Sequence, residues 1–79
     1  MSRYIATFHT HLSALLTCQS LTASGAEARM MPVPRKLSAS CGTCVVYQAA
    51  APLLDKLDAD VERVFQVAGE TYTLLLENE

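Results

Sequence analysis

Two prolines one residue apart, Pro32 and Pro34, interrupt the chain near its middle and divide it into halves that must fold around the break. Proline has no amide hydrogen, so a β-ladder cannot run on through both positions. Ala26 to Met31 reads as a strand that ends there. The stretch that follows, R-K-L-S-A-S-C-G-T-C from Arg35 to Cys44, has no apolar alternation and reads as a loop. Val45 to Gln48 (V-V-Y-Q) then resumes strand character.

No internal repeat appears in either half. Tyr4 to Phe8 is aromatic and β-branched enough for a strand. His11 to Thr22 follows as a helix, with Leu12, Leu15, Leu16, Cys18 and Leu21 at spacings of three and four as its expected core face. Thr10 is placed to cap it and Gly25 to stop it. In the second half, Ala50 to Leu57 reads as a short helix with Pro52 in its first turn, where the missing donor costs little. Val61 to Val67 and Thr71 to Leu76 flank Ala68-Gly69-Glu70 as a hairpin. The order β-α-β-β-α-β with an added C-terminal strand predicts an α/β (α+β) fold, a ferredoxin-like sandwich in which residues 1–79 form a single domain.

That topology has a consequence for chemistry. If the first strand runs up, the loop between the second and third strands lies at the top, beside the junction of the first strand with the first helix. His9 and His11 are therefore expected at the same end as Arg35, Lys36, Cys41 and Cys44.

A chain of 79 residues leaves a large share of its surface exposed and has no room for a deep substrate cavity. Its residues are 51% hydrophobic and only 18% charged, a composition that excludes disorder and leaves apolar surface for a partner to cover, a homodimer being one such arrangement. The net charge of −2 argues against general nucleic-acid binding, which calls for a basic face or stripe. No run approaches the roughly 18 apolar residues of a membrane span, and Met1-Ser2-Arg3-Tyr4 enters the first strand without the apolar segment of a secretory signal. Three cysteines, Cys18, Cys41 and Cys44, are too few and odd in number for a secreted disulfide framework. The expectation is a cytoplasmic protein with reduced thiols, Cys18 being a core residue of the first helix.

The loop thiols carry the chemistry. A thiolate rather than a thiol is the nucleophile, and Arg35, Lys36, the backbone amides around Gly42 and a nearby helix N-terminus would each favour negative charge at Cys41. Gly42 lets the backbone curl, and Ser38 and Ser40 offer hydroxyl donors. Cys44 is a candidate resolving thiol. Cys41-x-x-Cys44 also fits a dithiol redox pair or half a metal site. In the thioredoxin arrangement such a pair opens a helix, whereas here it opens a strand. For zinc, His9 and His11 would complete a set with Cys41 and Cys44, but H-x-H with one C-x-x-C is far from a standard finger spacing. No metal or other cofactor is favoured, with zinc the alternative.

The run Met31-Pro32-Val33-Pro34-Arg35-Lys36-Leu37-Ser38-Ala39-Ser40-Cys41-Gly42, preceded by a strand starting Tyr4-Ile5-Ala6-Thr7-Phe8, a helix and a second strand, resembles a family of small selenium/sulfur carrier-like proteins with a P-x-P-R-x-L-S-x-S-C-G signature. The resemblance covers most of the chain and is specific in that run. It implies a cytoplasmic protein that accepts sulfur or selenium on Cys41, with Arg35, Ser38, Ser40 and Gly42 in support, and exchanges it with protein donors and acceptors. Cys44, His9 and His11 lie outside the signature, which leaves the zinc-binding or dithiol-redox module as the alternative.

Overall fold

In the computed structural model, which describes residues 1–37, 39 and 41–78, the chain runs β1 (Ser2–Phe8), α1 (His11–Ala23), β2 (Glu27–Pro32), β3 (Thr43–Ala49), β4 (Val61–Ala68) and β5 (Thr71–Glu77). The strands form one antiparallel sheet in the order β2-β3-β1-β4-β5, and α1 packs on one face of it over β2 and β3. The described residues thus form a mixed α/β domain with one α-helix and a five-stranded sheet. No helix among the described residues is long and apolar enough to cross a membrane.

The core lies between α1 and the sheet, where Tyr4, Ala6 and Phe8 of β1 meet Val45 and Tyr47 of β3, Val61 and Val64 of β4, and Ala14 and Leu21 of the helix. Side chains alternate across a strand, so Ile5, Thr7 and Cys44 point to the opposite face, where they are nonetheless buried by neighbours within the sheet. Phe65 and Tyr72 meet there edge to face, with ring centroids 6.4 Å apart.

The helix begins where expected. Thr10 is extended, accepts the Ser13 amide through Oγ1, and in turn gives both its backbone N–H (3.0 Å) and its hydroxyl (3.2 Å) to Asp60 Oδ2. Which face turns inward differs from the expected leucine stripe. Ser13, Ala14, Thr17 and Leu21 are buried, while Leu12 (62%), Leu15 (39%) and Leu16 (45%) are exposed. The sheet beneath presents Tyr4, Phe8 and Tyr47, so the helix approaches it mostly through small residues, with Leu21 the one large side chain buried and Cys18 packed beside the cluster as expected. Thr17 also receives the Asp58 amide at 2.9 Å, which ties the same face to the connection between β3 and β4.

That connection contains the larger correction. The helix expected from Ala50 to Leu57 is not formed, and a single 3₁₀ turn, Leu54–Lys56, stands in its place. Leu53 sits in the left-handed region at φ 52°, which ends any right-handed helix begun at Pro52. The buried Tyr47 hydroxyl donates to the Pro52 carbonyl at 2.6 Å, so the acceptor that a first helical turn would use is already engaged. The full two-helix sandwich is therefore not what this chain builds. At the other end, the β4–β5 hairpin closes with Gly69 at φ 60°, the first central position, where a II′ turn calls for glycine.

Two expectations follow. Tyr47→Phe removes the donor and leaves the Pro52 carbonyl unsatisfied, so urea unfolding is expected to show a loss of about 1–2 kcal/mol with an unchanged m-value. The hydroxyl of Ser13, followed by the groups of Thr10, holds the Asp60 carboxyl below its ordinary value. A depressed folded-state pKa stabilises above the unfolded value of about 3.9 and is lost as pH falls through the folded value. Asp60→Asn is thus expected to lower stability at neutral pH and to flatten the acid limb of the stability profile below about pH 5.

Candidate functional site

The loop between β2 and β3 is pinched at its neck and turned at its tip. The Val33 amide bonds the Gly42 carbonyl at 3.0 Å, extending the β2–β3 ladder by one pair, and the Leu37 amide bonds the Pro34 carbonyl at 3.0 Å, closing a turn whose corners are Arg35 and Lys36. Both cations are exposed, and neither makes a hydrogen bond or ion pair among the described residues. Gly42 stands at φ 72°, a conformation that any side chain would strain. Ser38 and Ser40 lie outside the described residues.

The two loop thiols have different surroundings. Cys41, ahead of β3, is half-buried; it packs against the rim of the core and its thiol donates to the Thr43 carbonyl at 3.3 Å. Cys44, inside β3, is fully buried on the face away from α1, opposite Thr7 of β1 and Met31 of β2, and its thiol points toward the Pro32 carbonyl at 3.8 Å. Burial, with a smaller contribution from Cys41, pushes the Cys44 thiol up to about 11. Cys18 is a third free thiol, partly buried on α1 and packed against the core.

The expected meeting of the first-helix region with the thiol loop takes place through one histidine. His11 Nδ1 lies 3.4 Å from Thr43 Oγ1, between the two loop cysteines in sequence. His9 turns the other way, its Nδ1 4.0 Å from Glu62 Oε2 on β4. The set Cys41, Cys44, His9 and His11 is thereby divided. Among the described residues no group of three or more His, Cys, Asp or Glu is placed to hold a metal ion. At the N-terminus of α1 the Asp60 carboxylate sits on the capping residue Thr10.

Sequence reasoning overlooked Thr43 and Asp60. Thr43 was legible only as the filler of C-G-T-C; it becomes a contact because β3 starts on it and its side chain rises on the helix side. Asp60 reads as the end of a connection, and nothing local marks it as the partner of a residue fifty positions earlier.

Thiol labelling checks this division. With the Cys44 value near 11, only about one thiol in a thousand is ionised at pH 8, and burial blocks access besides. Iodoacetamide with peptide mapping is expected to modify Cys41 at least about a hundredfold faster than Cys44 in the folded protein, the difference vanishing in denaturant.

Comparison with curated proteins finds no match, and comparison with solved structures finds none either. A family model does match, over residues 3–69, which span β1 through the glycine of the last hairpin and include the whole thiol loop. The chain belongs to the family described as "Putative Se/S carrier protein-like".

Proposed function

We propose that Cys41 is the carrier thiol of a sulfur or selenium relay. The observation that carries this reading is the separation of the two loop thiols: Cys41 is the accessible one, at the end of the family's P-x-P-R-x-L-S-x-S-C-G run, while Cys44 is sealed within the sheet. The Cys41 thiolate attacks the outer sulfur of a donor protein's persulfide, the donor S–S bond breaks, Cys41 becomes a persulfide and the donor leaves as a thiolate. An acceptor thiolate repeats the exchange in the next step. A selenium atom in the outer position follows the same course. No electron is gained or lost overall, so the relay needs no cofactor.

Arg35 and Lys36 lend the loop positive charge toward an anionic sulfur, and Gly42 sets the curl that presents it; Ser38 and Ser40 are assigned hydroxyl donation on the family signature alone. Cys44, with its raised value and its place against the Pro32 carbonyl, stays out of the exchange in the closed fold, which preserves the cargo from discharge as a Cys41–Cys44 disulfide. The division of His9 from His11 leaves the zinc module without support. Three unpaired cysteines suit a reducing cytoplasm. The strand order β2-β3-β1-β4 supports reading the domain as a ferredoxin-like sandwich reduced by one helix, and a shallow domain of this kind must rely on donor and acceptor proteins for specificity.

Intact mass spectrometry after incubation with a cysteine desulfurase and cysteine tests the reading. The wild-type protein is expected to gain the mass of one sulfur atom, removable by cyanide, and Cys41→Ser to gain none. Arg35→Ala with Lys36→Ala is expected to slow loading by up to about fivefold, near the ~1 kcal/mol ceiling of an exposed charge interaction. An adduct that persists in Cys41→Ser sinks the proposal.

A further inference from the structure

The free edge of β2 is built to pair with itself. The strand is paired on one side only, by β3, in an unbroken register from Glu27↔Gln48 to Pro32↔Thr43. The Val33-to-Gly42 bond fixes which of its backbone groups face β3, because hydrogen-bonded and non-hydrogen-bonded pairs alternate along an antiparallel ladder. Glu27, Arg29 and Met31 bond inward. Ala28 and Met30 therefore turn their N–H and C=O outward, and Pro32, with no N–H to offer, occupies the outward phase as well. Among the described residues no strand lies beyond them.

The side chains on this edge form a self-complementary word. Read antiparallel against itself about Ala28, the sequence Glu27-Ala28-Arg29 sets each Glu27 opposite the Arg29 of a second copy. Those are non-hydrogen-bonded positions, where facing side chains come closest. Glu27 and Arg29 are both exposed, and neither has a hydrogen bond or ion pair among the described residues. At the axis the facing Ala28 residues exchange main-chain bonds, and each Met30 amide reaches the Ala26 carbonyl of the other copy. The Ala26 amide keeps its own bond to Leu21 at the end of α1. Centring on Met30 instead would set Ala28 opposite Pro32, losing a donor and both charge pairs. Centring on Arg29 would join Ala28 to Met30 through their outward groups but set the two Arg29 side chains directly opposite each other, a like-charge contact, and leave each Glu27 facing Met31.

The other edge lacks these features, since the β4–β5 register shifts at Val64/Phe65 and such a bulge twists an edge away from pairing. The helix adds a second observation. An open groove runs along this edge, lined among others by Thr22 and Ala26 at the end of the helix and by Arg3, Arg29 and Gln48 of the sheet. Leu15, two turns before Thr22, shares that side of α1 and is exposed. Edge pairing brings the two helices to face each other over the joined sheet and covers part of the leucine surface that the core leaves out.

We infer that β2 is a homodimer edge, pairing antiparallel with β2 of a second copy about Ala28 into one continuous sheet. The two thiol loops then lie at opposite ends of the dimer, so a Cys41-to-Cys41 disulfide is not available within it.

Sedimentation equilibrium from micromolar to near-millimolar protein provides the test, with far-UV circular dichroism confirming that each variant is folded. Wild type is expected to dimerise. Glu27→Arg and Arg29→Glu are each expected to weaken the dimer about tenfold, a change of about 1.4 kcal/mol, and Glu27→Arg combined with Arg29→Glu to recover most of the loss. Ala28→Pro, which removes the axial donors at a position where the edge tolerates proline, is expected to give monomer. A wild-type chain that stays monomeric throughout, single charge variants that dimerise as wild type does, or a double variant no better than the singles each overturns the inference. Cys41→Ser is expected to dimerise normally, so failure of the carrier reading and failure of this one are separately visible.

Discussion

Everything in this domain is registered against β1. The strand is buried from Tyr4 to Phe8 and hydrogen-bonded on both sides, to β3 and to β4, so its two neighbours must run parallel to each other and each must begin at its upper end. Thr7 illustrates the constraint. It stands opposite Cys44 on one side and Arg63 on the other, and its hydroxyl accepts the Arg63 amide at 3.1 Å. The start of β3, and with it the mouth of the thiol loop, is placed by this pairing rather than by the loop's own sequence. The same register brings the end of the β3–β4 connection under the first turn of α1, where Asp60 meets Thr10.

Much of this was legible in the residues. Four of the strands follow from β-branched and aromatic runs bounded by glycine, proline or short polar segments, β2 (E-A-R-M-M-P) is marked instead by the prolines that end it, and Thr10 announces the helix start. The failures have two physical sources. Ala50 to Leu57 has acceptable local propensity, but Tyr47, six residues before Leu53, needs a partner for a hydroxyl buried in the core and finds it at Pro52; a tertiary hydrogen bond overrides a weak helical preference. On α1, Leu21 and Cys18 of the apolar spacing pattern do pack on the core, whereas Leu12, Leu15 and Leu16 stay exposed, because over the rings of Tyr4, Phe8 and Tyr47 size counts beside hydrophobicity. A stripe of small residues, Ser13, Ala14 and Thr17, was visible at the same spacing.

The site shows the same limit at finer scale. The loop, its cations and its two cysteines were apparent from sequence, and so was their shared end with His11, since chain direction alone places them. The distinct surroundings of Cys41 and Cys44 depend on where β3 begins, because a strand's alternation assigns faces only once its first residue is known. His9 and His11, close in sequence, diverge because the chain turns at Thr10: the His9 amide still bonds the Asp60 carbonyl at 3.4 Å, while His11 opens α1.

The sealed position of Cys44 also makes it a clock for the breathing of the sheet. Its sulfur is fully buried, so under conditions where reclosing outpaces modification, its reaction rate divided by that of an open thiol measures the population of the opened state. The residue beside the thiol loop thereby reports the free energy of the ladder that holds the loop in place.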